Sequence, residues 1–213
     1  MNPAYFRSLL FIFMLSNSFT PLVAQINFGL KSGINISTTR NIIAFPQNKL
    51  AWYGGAFMEI PLNEKLYIQL DFLYSIKGFK TKALLISNTE YIVEKQTYLN
   101  VPILLGFNIN KKTSLLFGPE PGYRIGARNL YFGNNIDVSK NYVPKFDIGL
   151  DVGLKYALTN NIGFEARYSY GFNTFYYLYA SGERGETKGA NRVFQIGGKY
   201  VLNSFFKYKK STK

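Results

Sequence analysis

Residues 146–172 read F-D-I-G-L-D-V-G-L-K-Y-A-L-T-N-N-I-G-F-E-A-R-Y-S-Y-G-F. Two alternating runs flank a break at Thr159-Asn160-Asn161. Phe146, Ile148, Leu150, Val152, Leu154, Tyr156 and Leu158 alternate with Asp147, Gly149, Asp151, Gly153 and Lys155. After the break, Ile162, Phe164, Ala166, Tyr168, Tyr170 and Phe172 alternate with Gly163, Glu165, Arg167, Ser169 and Gly171. A period of two gives each run one apolar and one polar face, which is a strand pattern. The runs exceed the common soluble strand of about 5–6 residues. They match the roughly 9–11 residues of a tilted strand crossing a bilayer.

The same grammar recurs along the chain. Strands are expected at Ile26 to Ser37, Ala51 to Leu62, from Leu66 onward, Tyr98 to Asn108, Thr113 to about Arg128, in the two runs above, and at Arg192 to Leu202. Short turns follow the second, fourth and sixth: Asn63-Glu64-Lys65, Asn110-Lys111-Lys112 and the Thr159 break. Longer connections follow the others. An extended hairpin from Phe79, turning at 87–90 and returning through Thr97, is expected to project beyond the bilayer. The fifth strand is expected to break or bulge at Pro119 and Pro121, because each removes a ladder donor. Short turns at one end and long loops at the other characterise outer-membrane barrels. The fold class expected is therefore all-β: an eight-stranded, antiparallel, up-and-down transmembrane β-barrel spanning 25–203.

The two faces carry separate signals. Placed by their turns, Phe28, Phe107, Tyr156, Phe164 and Tyr200 fall near the periplasmic rim. Trp52, Tyr74, Tyr123, Phe146, Tyr170 and Phe194 fall near the external rim, with mostly aliphatic residues between. Two aromatic girdles around an apolar band are the membrane-barrel pattern. On the polar faces, Glu59, Asp71, Glu120, Asp147, Asp151 and Glu165 point the same way as Lys31, Lys77, Arg124, Lys155, Arg167 and Lys199. Such a balanced set fits a lumen plugged by ion pairs, since an eight-stranded barrel is just wide enough for side chains to fill. A narrow diffusion pore through the same residues is one alternative. A soluble, exported, lipocalin-like barrel with its apolar face inward around a ligand is the other.

Composition narrows the chemistry. The 213 residues contain no cysteine and no histidine. Thiolate sites and disulfides are therefore absent, as are the commonest general base and the commonest metal ligand. A Ser–His–Asp arrangement lacks its base, and Asp147 and Asp151 lie roughly 13 Å apart on one strand. No enzyme activity, cofactor, metal site or catalytic residue is expected. The net charge of +13 is scattered over strands and loops, so no nucleic-acid partner is expected; a basic barrel can instead face lipid phosphates. The expected partner is outer-membrane lipid, with protein partners through the external loops of a monomer. Phe175, Tyr176, Tyr177 and Tyr179 are the candidate loop contacts, or else an extension of the girdle or of the seventh strand.

Residues 1–24 read as a signal peptide, with Arg7 before an apolar core and Ala24 before the cleavage point. Residues 204–213 form a basic tail. Five stretches, in this order, carry a resemblance: A-Q-I-N-F-G-L-K-S-G-I-N-I-S from Ala24, G-A-F-M-E-I-P-L ending at Leu62, Q-L-D-F-L-Y-S-I-K-G from Gln69, Y-L-N-V-P-I-L-L from Tyr98, and F-G-P-E-P-G-Y from Phe117. Together they resemble the outer-membrane β-barrel domain family of Bacteroidetes, the porin-family or PorT-like group. Asp71 and Asn100 stand where that group often has glutamate. The resemblance implies an eight-stranded barrel in the bacterial outer membrane after signal-peptide cleavage. For some relatives it implies a part in secretion machinery; it implies no shared active site.

Overall fold

A computed structural model of the chain describes residues 26–40, 46–82, 91–131, 134–140, 142–172, 175–178 and 184–202. The expected signal peptide, the basic tail, the turn at 87–90 and Tyr179 lie outside them. The segments are β1 (Asn27–Arg40), β2 (Lys49–Pro61), β3 (Leu66–Lys82), β4 (Tyr91–Asn100), β5 (Ile103–Asn108), β6 (Thr113–Tyr131), β7 (Asn134–Asp137), β8 (Tyr142–Val143), β9 (Phe146–Ala157), β10 (Ile162–Gly171), β11 (Phe175–Leu178) and β12 (Arg184–Val201).

Every pairing is antiparallel. The ladder runs from β1 through β2 and β3 to β4 and β5, then through β6, β9 and β10 to β12. β12 pairs back onto β1 from Gly29↔Val201 to Arg40↔Ala190, which closes the ring. The segments number twelve rather than eight for two reasons. The fourth strand is split at Val101-Pro102 into β4 and β5, which both pair with β3 and β6. The other additions, β7, β8 and β11, are short ribbons outside the ring. Eight staves make the barrel wall.

The prolines act where the sequence suggested, but on the neighbouring strand. β6 runs unbroken through Pro119 and Pro121, paired with Leu150 and Ile148 of β9. The Pro121 carbonyl accepts the Val101 N–H at 2.8 Å, so that edge of β6 faces β4 and β5. The missing donors of Pro119 and Pro121 therefore point at the stave that Pro102 already interrupts. The bulge lies further along, where Thr97 pairs with Gly126 but Tyr98 with Arg124, leaving Ile125 extra on β6.

The short turns share one device. Asn63 Oδ1 accepts the N–H groups of Lys65 and Leu66 at 2.9 and 2.8 Å. Asn110 Oδ1 does the same for Lys112 and Thr113, both at 2.9 Å. Thr159 Oγ1 takes those of Asn161 and Ile162 at 3.2 and 3.0 Å. A side-chain oxygen that satisfies two turn donors explains why each turn begins with Asn or Thr.

Between the third and fourth staves the structure has the expected extended hairpin, with β3 and β4 paired out to Lys82↔Tyr91. The flanks of the other long connections are more ordered than the sequence suggested. β1 runs on to Arg40 and β2 begins at Lys49. β7 folds back on β6 from Arg128↔Asp137 to Tyr131↔Asn134. β11 lies between β12 and β8. β12 starts at Arg184, well before the expected Arg192.

The ring's faces sort by chemistry. Leu30, Ile34, Leu105, Phe117, Val152, Leu154 and Ile196 are exposed on the outside, while Asp71, Gln69, Gln96, Asp151 and Arg167 are buried inside. This orientation overturns the lipocalin-like alternative, which needs its apolar face inward. From the Leu66↔Phe107 row to the Tyr74↔Leu99 row is eight steps along β3. At about 3.3 Å per residue and a tilt near 40° that is roughly 20 Å of height, close to the ~25 Å apolar band of such barrels. Val152 sits within the band and Leu158 beside a short turn, both half exposed. Val152→Arg is expected to cost about 2–4 kcal/mol and Leu158→Arg about 0–1, because the penalty follows depth in lipid. Urea unfolding in bilayers measures both; equal costs would contradict a membrane-embedded face.

Candidate functional site: a filled polar lumen

The inward residues stack in layers along the axis. At the turn end, Tyr67, Leu104 and Leu116 form a buried apolar cluster. A Cβ on Gly106 would lie 2.1 Å from the Tyr67 ring, so only glycine admits that ring there. Above it, Glu59 Oε1 holds Lys155 Nζ at 2.8 Å and Lys199 Nζ at 2.6 Å. Both ammonium groups also lie over rings, Lys155 at 4.0 Å from the Tyr67 centroid and Lys199 at 3.8 Å from that of Phe57.

The middle layer is the densest. Lys31 Nζ bridges Asp71 Oδ2 at 2.8 Å and Glu165 Oε1 at 2.6 Å. Arg167 reaches Asp71 Oδ2 at 3.0 Å, Glu165 Oε1 at 3.0 Å and Asp151 Oδ2 at 3.3 Å. Its second amino group donates to Gln195 Oε1 at 2.9 Å. Gln69 Nε2 donates to Asp71 Oδ1 and Glu165 Oε2 at 3.0 and 3.1 Å. These side chains come from five staves and tie the wall across its diameter. Arg167 has room because its neighbour across the ladder is Gly153, where a Cβ would sit 2.6 Å from Arg167 Cγ.

Towards the loop end, Lys77 Nζ meets Glu120 Oε1 at 2.6 Å, and Asn100 donates to the same oxygen at 3.0 Å. Tyr98 carries Lys77 and Arg124 near its ring, and its hydroxyl accepts from Asn191 at 3.1 Å. Arg124 donates to the Pro144 carbonyl at 2.8 Å, and Asp147 accepts from Asn191 at 3.3 Å. At the mouth, Lys49 Nζ donates to the carbonyls of Glu94 and Lys77 at 2.8 and 3.3 Å. Gln96 donates to the Glu94 carboxylate.

All twelve residues expected in the lumen face it; eleven are buried, and the Lys155 side chain is 13 % exposed. Sequence reasoning missed Glu94 and Lys49, which bring the inward set among the described residues to seven acids and seven bases. It also missed the amides spread through these layers, Gln69, Gln96, Gln195, Asn35 and Asn191. The signal was present in Glu94, Gln96, Tyr98 and Asn100, which alternate like any inward run. It was masked because the outward partners Lys95 and Thr97 are polar too.

The eleven girdle candidates all face outward and are exposed. Tyr74, Leu99, Tyr123 and Phe146 form one continuous row across β3, β4, β6 and β9. Trp52 stacks on Tyr74 with centroids 5.4 Å apart. The band between the girdles is not purely aliphatic, since Phe72 and Phe117 lie in it, exposed. Of the loop candidates, Phe175, Tyr176 and Tyr177 are in β11 rather than in an unpaired loop.

A closed ring with polar contents and a lipid-sized apolar belt is the geometry of an outer-membrane barrel. The outer membrane protein beta-barrel domain model matches residues 16–177. The chain belongs to that family. The protein is accordingly a bacterial outer-membrane β-barrel, and the match stops before β12. No curated protein matches the chain. Among solved structures it is similar to Neisserial surface protein A, with 12% identity, a TM-score of 0.52, and coverage of 82% of this chain and 97% of that one. It is also similar to the attachment invasion locus protein Ail of Yersinia pestis, at 15% identity and a TM-score of 0.47, over 83% of this chain and 98% of that one. At 12% identity the likeness to Neisserial surface protein A concerns the fold alone.

The middle layer generates a direct expectation. Removing a buried partner strands the charges it served, at about 3–5 kcal/mol. Arg167→Met is expected to lose that much in urea unfolding, because Asp71, Glu165 and Asp151 share its charge. Asp151→Asn in the same chain is expected to restore part of the loss. An unchanged midpoint in Arg167→Met would contradict the network.

Proposed function

We propose that the protein is a non-enzymatic, monomeric outer-membrane barrel whose lumen is a structural plug and whose external ribbons make its contacts. The carrying observation is how firmly the lumen holds its basic groups. Each inward lysine or arginine is committed to a carboxylate, a carbonyl or a ring, and the layers leave Arg167 1 % exposed. Charges held this way are poor general acids or bases and poor relays for ions. The ribbons support the second half of the reading. β3, β4, β6 and β12 all run past the external aromatic row, and β7, β8 and β11 widen that end. Ordered backbone extending beyond the membrane provides a platform that a plain anchor does not need.

A finer reading, resting on the PorT-like resemblance, makes the protein a component of a secretion assembly docked through these ribbons. Replacing residues 174–188 with a short Gly-Ser turn removes β11 and leaves the ring pairing from Ala190 onward. The variant is expected to keep its boiling-dependent gel shift and lose its cross-links to other envelope proteins. Unchanged cross-links would remove the ribbons from the account. The purified protein is expected to leave planar bilayers at baseline conductance. Reproducible current steps that vanish in a lumen variant would establish the narrow pore instead.

A further inference from the structure

Just beyond the external aromatic row, β3, β4 and β6 enclose a surface cavity of about 260 Å³ lined by Tyr74, Lys95, Thr97, Ile125, Gly126 and Arg128. Lys95 and Arg128 are direct cross-strand partners. Like charges placed opposite one another in a ladder repel, and here both belong to the lining of one small cavity. Lys80, paired with Val93 two residues further along β4, adds a third basic residue to the same ladder. The acid in register with Arg128 is Asp137 on β7, whose Oδ1 accepts the Ser139 N–H at 2.8 Å and whose charge is also felt by Arg128, whereas Lys95 stands between Gly78 and Arg128. The bulge at Ile125 is what opens the site. It offsets β6 from β4 between Thr97 and Tyr98, and Gly126 contributes no side chain to fill the gap.

Height decides what the cavity meets. Lys95 is four steps from Leu99, a member of the aromatic row. At about 3.3 Å per residue and a tilt near 40° that is roughly 10 Å above the girdle, the level of lipid headgroups. The lining is graded accordingly. Tyr74 and Ile125 lie at the apolar edge, while Lys95 and Arg128 lie at the aqueous edge with the Thr97 hydroxyl between. A guanidinium fork and an ammonium lining one small cavity match a phosphate better than a neutral or zwitterionic group. We propose that this cavity binds the phosphate of a lipid headgroup in the outer leaflet, with the lipid's apolar part against Tyr74 and Ile125. The site would fix the barrel's depth and its rotation relative to the surrounding leaflet. It rests on the membrane orientation above, not on the plugged lumen or the ribbon partners.

The test uses mature protein purified in detergent and titrated with bisphosphorylated lipid A, followed by native mass spectrometry. The same lipid after phosphatase treatment, and inorganic phosphate, form the other arms. The bisphosphorylated lipid is expected to stay bound while the dephosphorylated one does not. Lys95→Gln and Arg128→Gln are each expected to weaken binding about fivefold, and together ~25-fold, from about 1 kcal/mol per basic residue near an anionic surface. Both residues lie outside the lumen, so the variants are expected to retain the boiling-dependent gel shift, which is checked first. Lys111→Gln, in a short turn at the opposite end, serves as the charge-matched control and is expected to bind as the wild type does. Equal retention of the dephosphorylated lipid, or undiminished binding by the double variant, would overturn the proposal. Inorganic phosphate competing as well as the lipid would also overturn it, by making the cavity a site for a soluble anion.

Discussion

The pairing of β1 with β12 turns a strip with two raw edges into a ring. In hydrocarbon an unpaired backbone N–H or C=O costs several kcal/mol, so an open edge of that length could not persist there. Closure removes the edges and sets the rest of the design. It fixes a lumen too narrow to hold bulk water and wide enough for one layer of side chains. Contents and wall are then coupled. The glycines that interrupt the inward faces, such as Gly106 under Tyr67 and Gly153 beside Arg167, are there because the long residues opposite need their volume.

Burying charge is expensive, and among the described residues this barrel turns seven acids and seven bases inward, thirteen of the fourteen buried. The cost is tolerable only with short, shared contacts. Lys31 serves two carboxylates, Arg167 three, and Glu59 accepts two lysines. Because the partners come from different staves, the network favours one register of the whole ring over its slipped alternatives. A one-residue slip would move these charges to the lipid face. The same inversion, polar inside and apolar outside, separates this barrel from a ligand-carrying soluble one built from equally alternating strands.

Much of this was legible in the chain. The run from Phe146 to Phe172 contains a hairpin, its turn and both faces, and the structure pairs it as written from Gly149↔Gly171 to Ala157↔Gly163. Inward charges were readable wherever their outward neighbours were apolar. Legibility failed where that contrast disappears. Above the girdle the outer face meets headgroups and water, so Lys95 and Thr97 replace leucines and Glu94 no longer stands out. For the same reason the start of β12 read as a loop, whereas the end of β3 was legible as an extended hairpin. Pro119 and Pro121 were read as a defect in their own strand. Which neighbour a missing donor faces depends on the register, and only the Val101–Pro121 contact reveals it. The phosphate-sized cavity was equally invisible, because it depends on a bulge that brings Lys95 and Arg128 together across 33 residues of sequence.

The central claim is the direction in which each residue of a stave faces. The chain has no cysteine, so single cysteines give clean attachment points for spin labels. Labels at Leu150, Val152 and Leu154, and separately at the less crowded inward position Gly149, would be compared in lipid bilayers by their collision rates with oxygen and with a water-soluble nickel complex. The account predicts high oxygen and low nickel accessibility at the first three, and low accessibility to both reagents at Gly149. High nickel accessibility at Gly149 would contradict a filled lumen. Low oxygen accessibility at Val152 would contradict a lipid-facing wall.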